Sequence, residues 1–322
     1  MQSNIKLQVS RIVDEADGIR SFELVHPEGG ALPEFSAGAH IDIHIPDGQV
    51  RQYSLLNDDV ERGRYVIAVL KVPDGRGGSA FMHDGVKIGT SLVVGEPRNA
   101  FPLENGEAPV VLVAGGIGVT PLLSMARRLS REGRPFLLHF ATRSVARTPF
   151  VNDLRESTLA QHVRFYRGDG SSEQRLDVAR LTNGIPAGTH VYLCGPVGFM
   201  NAVSASLSAR SDVTLHTEYF TAPVSPAAPL GQGGAFNLVL ARCKFEMTVA
   251  ADRTIVDVLR GHGIEPDLNC EQGICGTCQT TVLSGDVEHH DYCLSPRERQ
   301  CGNKMMICVS RGKPGTTLTL DL

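Results

Sequence analysis

The sequence of 322 residues contains no long uninterrupted apolar run. A transmembrane helix needs about 20 consecutive apolar residues, so we expect no membrane span. The first ten residues alternate polar and apolar side chains and lack the pattern of a signal peptide, so we expect a cytoplasmic protein. A basic excess is also missing, since 31 basic and 35 acidic residues give a net charge of −4, which argues against nucleic-acid binding.

A chain of this length is expected to form two or three domains, and its pattern changes along the sequence. Residues 1–106 carry short strands broken by turn residues, which is typical of an antiparallel β-barrel. Residues 107–222 alternate apolar strands with helical stretches, which predicts a parallel α/β sheet. Residues 223–235 are uncharged and rich in Pro, Ala and Gly, which predicts a linker, and residues 236–322 form a third unit.

Individual elements can be predicted inside the first two segments. The expected barrel strands are Ile5–Val9, Ser21–Val25, His40–Ile45, Gln52–Leu56, Arg64–Leu70 and Ser91–Val94. The expected strands of the parallel sheet are Pro109–Ala114, Phe136–Phe140 and His190–Cys194, separated by helices over Pro121–Leu129, Pro149–Leu154 and Val197–Leu207.

Seven of the eight cysteines follow residue 240, and three of them form one short motif. Cys270, Cys275 and Cys278 have the plant-type spacing of a [2Fe–2S] ferredoxin, and Cys308 lies at the separation expected of the fourth ligand. Gly273 and Gly276 relieve the steric cost of wrapping backbone around a cluster. Zinc is the competing metal, but structural zinc sites prefer two short-spaced pairs, and only one Cys-x2-Cys is present here.

The fourth ligand is less firmly set than the first three. Cys308 lies in an apolar run, Met305–Val309, that we expect to be a strand. Other cysteines also follow or precede the motif, and we expect structural roles for them: Cys243, Cys293 and Cys301.

Two segments of the first domain carry groups that could contact a ligand. Arg51-Gln-Tyr-Ser54 places a cation, an aromatic ring and a hydroxyl within one strand, although taken alone this pattern is more typical of a strand with a surface Arg and a core Tyr. Gly75-Arg-Gly-Gly-Ser79 supplies glycines, a hydroxyl and a second cation at a turn, where free N–H groups favour phosphate.

Two further motifs lie at the ends of strands in the second domain. Gly115-Gly-Ile-Gly-Val-Thr-Pro121 follows a strand and opens a helix, the position where a dinucleotide pyrophosphate binds, although it lacks the full Gly-x-Gly-x-x-Gly fingerprint. Cys194-Gly-Pro196 ends a later strand, and open α/β sheets bind their ligands at the carboxyl ends of strands.

In this order, the motifs and the C-terminal ferredoxin segment resemble the phthalate dioxygenase reductase family over essentially the whole chain. That family is the FMN-containing branch of the ferredoxin–NAD(P) reductase superfamily and includes vanillate O-demethylase reductases. The resemblance implies an antiparallel β-barrel flavin domain, an α/β parallel-sheet nucleotide domain and an α+β ferredoxin domain of the β-grasp type. It also implies three cofactors, namely FMN, NADH and a [2Fe–2S] cluster.

The resemblance assigns roles to individual residues. The implied FMN contacts are Arg51, Gln52, Tyr53, Ser54, Val69, Leu70, Arg76, Gly77, Gly78 and Ser79. The positions expected around the nicotinamide nucleotide are Gly115, Gly116, Gly118, Thr120, Pro121, Cys194, Gly195 and Pro196. Ser54 and Cys194 are the expected catalytic residues. Phe220 is the expected cover of the flavin ring, with a buried strand-end phenylalanine as the alternative.

The implied function is that of an NADH-dependent reductase component of a multicomponent, Rieske-type aromatic-ring oxygenase or O-demethylase. Electrons pass from NADH to FMN, to the cluster and then to a separate terminal oxygenase, and the chain is expected to be a monomer. A stand-alone NADH oxidoreductase with a quinone, ferric or oxygen acceptor is one alternative, and a zinc-holding redox sensor is another. Arg143 and Arg147 leave NADPH open, because Arg favours a 2′-phosphate.

Overall fold

The computed structural model describes residues 4–46, 48–73, 75, 77–223 and 234–322. The chain divides into two compact units, the first ending at Thr217 and the second beginning at Glu218. Most of the predicted linker 223–235 lies outside the described residues, and so does Arg76. Within the described ranges, no helix is both long and apolar enough to cross a bilayer.

The first unit opens with a six-stranded antiparallel sheet in the order β4-β3-β6-β1-β2-β5. Its strands are β1 (Asn4–Ala16), β2 (Ile19–Val25), β3 (His40–His44), β4 (Val50–Ser54), β5 (Tyr65–Leu70) and β6 (Ser91–Gly95). The two end strands approach each other just beyond β4, where Leu56 N donates to Val66 O at 3.0 Å. Alternate side chains fill an interior that includes Leu7, Ile41 and Ile67, so the predicted antiparallel flavin-type barrel is confirmed.

The strand predicted over Ile5–Val9 is much longer in the structure. The first part of β1 pairs with β6, and its later part pairs with β2 through two register shifts. The prediction was wrong in length because Arg11–Ala16 does not continue the alternation of Ile5–Val9, although it pairs with the strand that directly follows it. A short helix, α1 (Gly78–Ala80), runs into a π-helical turn over Phe81–Gly85.

The second sheet of this unit has the order β11-β10-β7-β8-β9. Its strands are β7 (Val110–Gly115), β8 (Phe136–Thr142), β9 (Val163–Arg167), β10 (His190–Cys194) and β11 (Thr214–Glu218). The pairs β10/β7, β7/β8 and β8/β9 are parallel, as predicted. The main helices are α2 (Val119–Arg131), α3 (Val151–Glu156), α4 (Val178–Asn183) and α5 (Val197–Leu207).

One apolar core joins the barrel to the parallel sheet. Ala37, Leu56 and Ala68 of the barrel segment belong to the same buried cluster as Leu122 of α2 and Tyr192 of β10. The barrel and the nucleotide-type sheet therefore form one packed unit.

The second unit has a mixed five-stranded sheet, β13-β12-β18-β14-β16, and a small two-stranded sheet, β15-β17. Its strands are β12 (Phe236–Leu240), β13 (Phe245–Val249), β14 (Gln279–Ser284), β15 (Val287–Glu288), β16 (Lys304–Met306), β17 (Arg311–Gly312) and β18 (Thr317–Leu320). Its helices are α6 (Ile255–Gly261) and α7 (Pro296–Cys301), and each begins with a capping box, Thr254 with Asp257 and Ser295 with Glu298. The predicted α+β ferredoxin fold is confirmed.

Candidate functional site

The two glycine motifs of the parallel sheet meet backbone to backbone. β7 and β10 are parallel neighbours, with Ala114 opposite Cys194. A Cβ added at Gly118 would lie 2.5 Å from the Cys194 carbonyl carbon, and one at Gly195 would lie 2.9 Å from the Gly115 Cα. Only glycine allows this approach, so the segments predicted at residues 115–121 and 194–196 lie together at one edge of the sheet.

This edge has the features of a site for a dinucleotide phosphate. A 3-10 turn over Gly116–Gly118 leads directly into α2, whose N-terminus carries no side-chain cap. The N–H groups at a helix N-terminus, together with the helix dipole, attract anions. Thr120 is buried and donates its hydroxyl to Ile117 O at 3.1 Å, while Cys194 is fully buried at the end of β10.

The two predicted flavin segments also come together. A Cβ on Gly78 would lie 2.6 Å from Cγ and Nε of Arg51, so the glycine turn lies directly on the guanidinium arm. Gly77 has a φ of +81°, in the left-handed region that favours glycine, and begins the short helix α1. This close approach leaves no space for a side chain at residue 78.

Within β4, the side chains of the motif differ in their surroundings. Ser54 is buried, and burial raises the pKa of Tyr53 to about 12, so its phenol stays protonated at neutral pH. Gln52 Nε2 donates to Asp42 Oδ1 at 3.2 Å and lies 3.4 Å from His40 Nε2. Its amide therefore belongs to a buried polar network under the strand.

The remaining predicted flavin contacts have other partners in the protein. The Val69 side chain lies in the barrel core, and its carbonyl oxygen is 2.9 Å from His83 Nε2. Leu70 packs against the core shared with the nucleotide sheet. The Ser79 hydroxyl accepts the Val72 N–H at 3.0 Å. Their contacts with FMN stay predictions.

In the second unit, the four cysteines of the predicted cluster come together as two pairs. Cys270 hydrogen-bonds to Cys275, and the Sγ atoms of Cys278 and Cys308 are 3.1 Å apart. In the described ranges, no group of three or more Cys, His, Asp or Glu side chains converges on a single ion. Pairing of the thiols fits a binuclear [2Fe–2S] centre, in which each iron takes two of them, better than one tetrahedral zinc.

The loop around the pairs is shaped for thiolate ligands. Gly273 and Gly276 have φ values of +70° and +74°, which confirms that both glycines relieve backbone strain. The hydrogen bond from Cys270 and that from Thr277 lower the pKa of Cys275, while the bond between the two thiols raises the pKa of Cys270. Gln272 N donates toward Cys270 Sγ at 3.4 Å, the kind of bond that tunes a cluster.

Cys308 lies in a turn, and the predicted strand over Met305–Val309 was wrong at this point. β16 ends at Met306, and the N–H groups of Val309 and Ser310 both donate to Met306 O. An apolar run does not distinguish a strand from a buried turn. The turn is what directs Cys308 toward Cys278. Cys301 is exposed on α7, and burial raises the pKa of Cys293 to about 12, which disfavours its thiolate.

The sequence patterns missed Glu218, the last residue of β11. Burial raises the pKa of this carboxyl to about 8, and its Oε2 has no partner in the part of the chain that the structure describes. The available sequence signal was the position of this charged residue, just before the aromatic residues Tyr219 and Phe220. Phe220 is 42% exposed and belongs to the second unit, so its role over the flavin stays a prediction.

Two protein families match the parts of the chain that carry these residues. The 2Fe-2S iron–sulfur cluster binding domain family matches residues 240–313, and the oxidoreductase NAD-binding domain family matches residues 112–205. Both matches confirm the expected cluster and nicotinamide nucleotide domains.

Relatives match the chain over nearly its full length. The reductase subunit of the tert-butanol monooxygenase / tert-amyl alcohol desaturase of Aquincola tertiaricarbonis is 42% identical, over 99% of this chain and 96% of that protein. The vanillate O-demethylase oxidoreductase of Pseudomonas sp. (strain HR199 / DSM 7063) is 41% identical, over 99% of this chain and all of that protein.

A solved structure agrees as well. The structure of phthalate dioxygenase reductase, described as modular for electron transfer from pyridine nucleotides to [2Fe-2S], has a TM-score of 0.70 at 37% identity and covers 99% of this chain and 98% of its own. The chain is thus an oxidoreductase and belongs to the family of vanillate O-demethylase oxidoreductases and phthalate dioxygenase reductase.

Proposed function

We propose that this chain is the NADH-dependent reductase of a multicomponent, Rieske-type oxygenase or O-demethylase, with FMN as its flavin and a separate oxygenase as its acceptor. The observation that carries the proposal is the two cysteine pairs in a chain that also has a glycine-packed nucleotide edge. The names of the relatives, a monooxygenase reductase subunit and an O-demethylase oxidoreductase, support the choice of partner.

The nucleotide end of the pathway is proposed to lie along the edge formed by β7 and β10. Gly115, Gly116 and Gly118 let the pyrophosphate approach the N-terminus of α2. Thr120 and Cys194 flank the nicotinamide, and the backbone of Pro121, Gly195 and Pro196 shapes its pocket. The match to an NAD-binding domain supports NADH over NADPH.

The flavin is proposed to lie along β4 and the turn that opens α1. Arg51 and the N–H groups of Gly77 and Gly78 hold the phosphate, which the close packing of Arg51 against Gly78 supports. The expected contact of Arg76 lies outside the described residues. Gln52, Tyr53, Ser54, Val69, Leu70 and Ser79 complete the flavin contacts, and Phe220 covers the ring.

The cluster is proposed to be held by Cys270, Cys275, Cys278 and Cys308, whose paired thiols have the chemistry that two irons require. When bound, FMN and the cluster convert a two-electron hydride donor into a source of single electrons. The protein's own contribution is to orient the nucleotide, exclude water and fix the ligands. We further propose that it acts as a monomer in the cytoplasm, which sedimentation analysis and cell fractionation test.

Electron delivery to an oxygenase tests this proposal. Replacing Cys308 by Ser is expected to abolish NADH-driven reduction of a vanillate or phthalate oxygenase while bleaching of the flavin by NADH continues. The matched control is Cys301→Ser on the exposed face of α7, which is expected to leave transfer unchanged. The assignment would be overturned if Cys308→Ser passed electrons to the oxygenase as fast as the native chain. It would also be overturned if the native chain oxidised NADH with a quinone as acceptor and not with an oxygenase.

Replacing Cys194 by Ala tests its catalytic role. The thiol is fully buried at the carboxyl end of β10, so its removal is expected to slow flavin reduction in stopped flow, by about tenfold or more, with little change in NADH affinity. Cys243→Ala, at an exposed site in the second unit, serves as the control. An unchanged rate in Cys194→Ala removes this residue from the mechanism.

A further inference from the structure

Asp291 is a buried carboxylate next to the cysteine loop, and no motif drew attention to it. Its side chain has no solvent exposure, which is rare for an aspartate without a structural or functional role. It lies in the segment between β15 and α7, outside every predicted ligand position.

Several groups converge on this carboxylate, among them the Cys293 thiol, whose Sγ is 4.0 Å from Oδ2. Leu294 N donates to Oδ2 at 2.9 Å, and Ser310 Oγ donates to Oδ1 at 3.4 Å. His289 Nδ1 is 3.3 Å from Oδ1, and Arg299 Nη2 is 3.7 Å from Oδ2 while also donating to the Asp291 backbone oxygen. These partners satisfy a carboxylate that would otherwise be very costly to bury.

The same residue lies against both arms of chain that carry the cysteine pairs. Gly273, between Cys270 and Cys275, has so little space that a Cβ there would lie 3.0 Å from the Asp291 Cα. Its carbonyl oxygen accepts the N–H of Tyr292 at 2.8 Å. Ser310, which bonds the carboxylate, comes two residues after Cys308. Asp291 therefore connects the cysteine loop to the turn that carries the fourth thiol.

The charge of Asp291 acts on the same centre. The thiol of Cys293 lies 4.0 Å from Asp291 Oδ2, and its pKa is raised by burial and by the charges of Asp291, Cys278 and Cys275. A fixed negative charge in a low-dielectric interior disfavours the arrival of an electron. Arg299 offsets this charge only in part, because its side chain is 37% exposed and solvent screens it.

We propose that Asp291 is a positioning residue of the [2Fe–2S] centre, which fixes the two cysteine arms against each other and lowers the reduction potential of the cluster. The inference rests on the proposed cluster ligands. It concerns how the protein tunes the centre, through hydrogen bonds and charge beyond the ligands themselves.

The test is a redox titration of the full holoprotein followed by EPR, with Asp291→Asn as the main variant. An asparagine keeps the shape, since its oxygen can still accept from Leu294 N and its amide can donate to Ser310 Oγ or His289 Nδ1. Loss of the charge is expected to favour reduction about tenfold, a positive shift of about 59 mV for one electron. The control is Asp286→Asn, whose side chain is 69% exposed and paired with Lys313, and its potential should not move.

For a second variant we expect a shift of the cluster's reduction potential in the opposite direction. Arg299→Gln removes the countercharge and leaves Asp291 less compensated, so the cluster is expected to become harder to reduce. Asp291→Ala removes the acceptor altogether and is expected to lose most of its iron on purification. This set remains informative if Asp291→Asn itself fails to fold.

Unchanged potentials in both Asp291→Asn and Arg299→Gln, with normal iron content in Asp291→Ala, would overturn the inference. A native chain that gives no signal of a binuclear cluster would instead overturn the proposed function. The two failures are therefore distinguishable.

Discussion

The barrel and the nucleotide sheet share one apolar core, whereas the ferredoxin unit has a core of its own. Hydride transfer needs reacting atoms about 3–3.5 Å apart, and a shared core fixes the barrel strands against the glycine edge of the second sheet. The cysteine pairs do not depend on the core that the barrel shares with the nucleotide sheet, because all four thiols come from the ferredoxin unit. The two halves of the pathway should therefore fail independently when they are damaged separately.

The largest expected effect comes from a substitution at Gly118, which should slow flavin reduction and leave the cluster intact. A methyl group there would meet the Cys194 backbone at 2.5 Å, so Gly118→Ala must displace the loop. Because a misplacement of about 1 Å can cost on the order of 10²-fold in rate, we expect flavin reduction by NADH to fall by about that factor. The measurement is stopped-flow bleaching of the flavin, with the visible spectrum of the cluster recorded on the same sample.

The control is Gly63→Ala in the barrel, where a Cβ meets nothing within 4 Å. Normal reduction in Gly118→Ala, or loss of the cluster spectrum together with the rate, would contradict the separation of the two halves.

The second effect concerns pH and Glu218, the last residue of β11. Its pKa is raised from 4.5 to about 8 by burial, so the folded protein holds a proton that the unfolded chain releases. Its stabilising contribution is complete below about pH 4.5 and is lost as the pH rises toward 8, with a slope of up to about 1.4 kcal/mol per pH unit. Glu218→Gln stays neutral and is expected to remove this slope.

Urea unfolding between about pH 5 and pH 8 measures the effect, and Glu246→Gln, at an exposed position of β13, is the control. Parallel stability profiles for native protein and Glu218→Gln would show that the carboxyl is ionised in the folded state.

The smallest effect tests the polar link across the shared core. Arg127 of α2 donates to the Leu56 carbonyl oxygen beyond β4, and burial lowers the pKa of its guanidinium. Arg127→Gln leaves that carbonyl unpaired, at a cost of about 1–3 kcal/mol in the free energy of unfolding of the first unit. Its neighbour Arg131, which is 38% exposed and pairs with Asp58 and Asp59, provides the contrast.

We expect Arg131→Gln to cost only about 0–1 kcal/mol, as surface ion pairs do. Differential scanning calorimetry compares the two variants. Equal losses of stability in the two variants would show that the Arg127–Leu56 hydrogen bond does not stabilise the shared core. So would a loss that lowers only the unfolding temperature of the ferredoxin unit.

Much of the site was predictable because its chemistry is local in sequence. The spacing of Cys270, Cys275 and Cys278 predicts the cysteine loop, and the glycines at 115–118 predict the nucleotide edge. α5 runs over Val197–Leu207 as its pattern predicted.

What escaped prediction lies where the local pattern is ambiguous or where distant segments meet. The later part of β1 lacks the alternation of a strand and pairs with β2, and an apolar run conceals the turn at Cys308, where Met306 O accepts two N–H groups. The contacts of Arg127 with Leu56 and of Asp291 with Ser310 join residues that no local pattern connects.

The central claim is that NADH reduces a binuclear cluster held by the four paired cysteines. Anaerobic addition of NADH to the native, FMN-loaded chain, followed by low-temperature EPR and metal analysis, tests it most directly. We predict the signal of a reduced [2Fe–2S] centre, with about two irons and two acid-labile sulfides per chain. A chain that binds zinc without sulfide, or whose cluster stays oxidised while its flavin is bleached, would contradict the account.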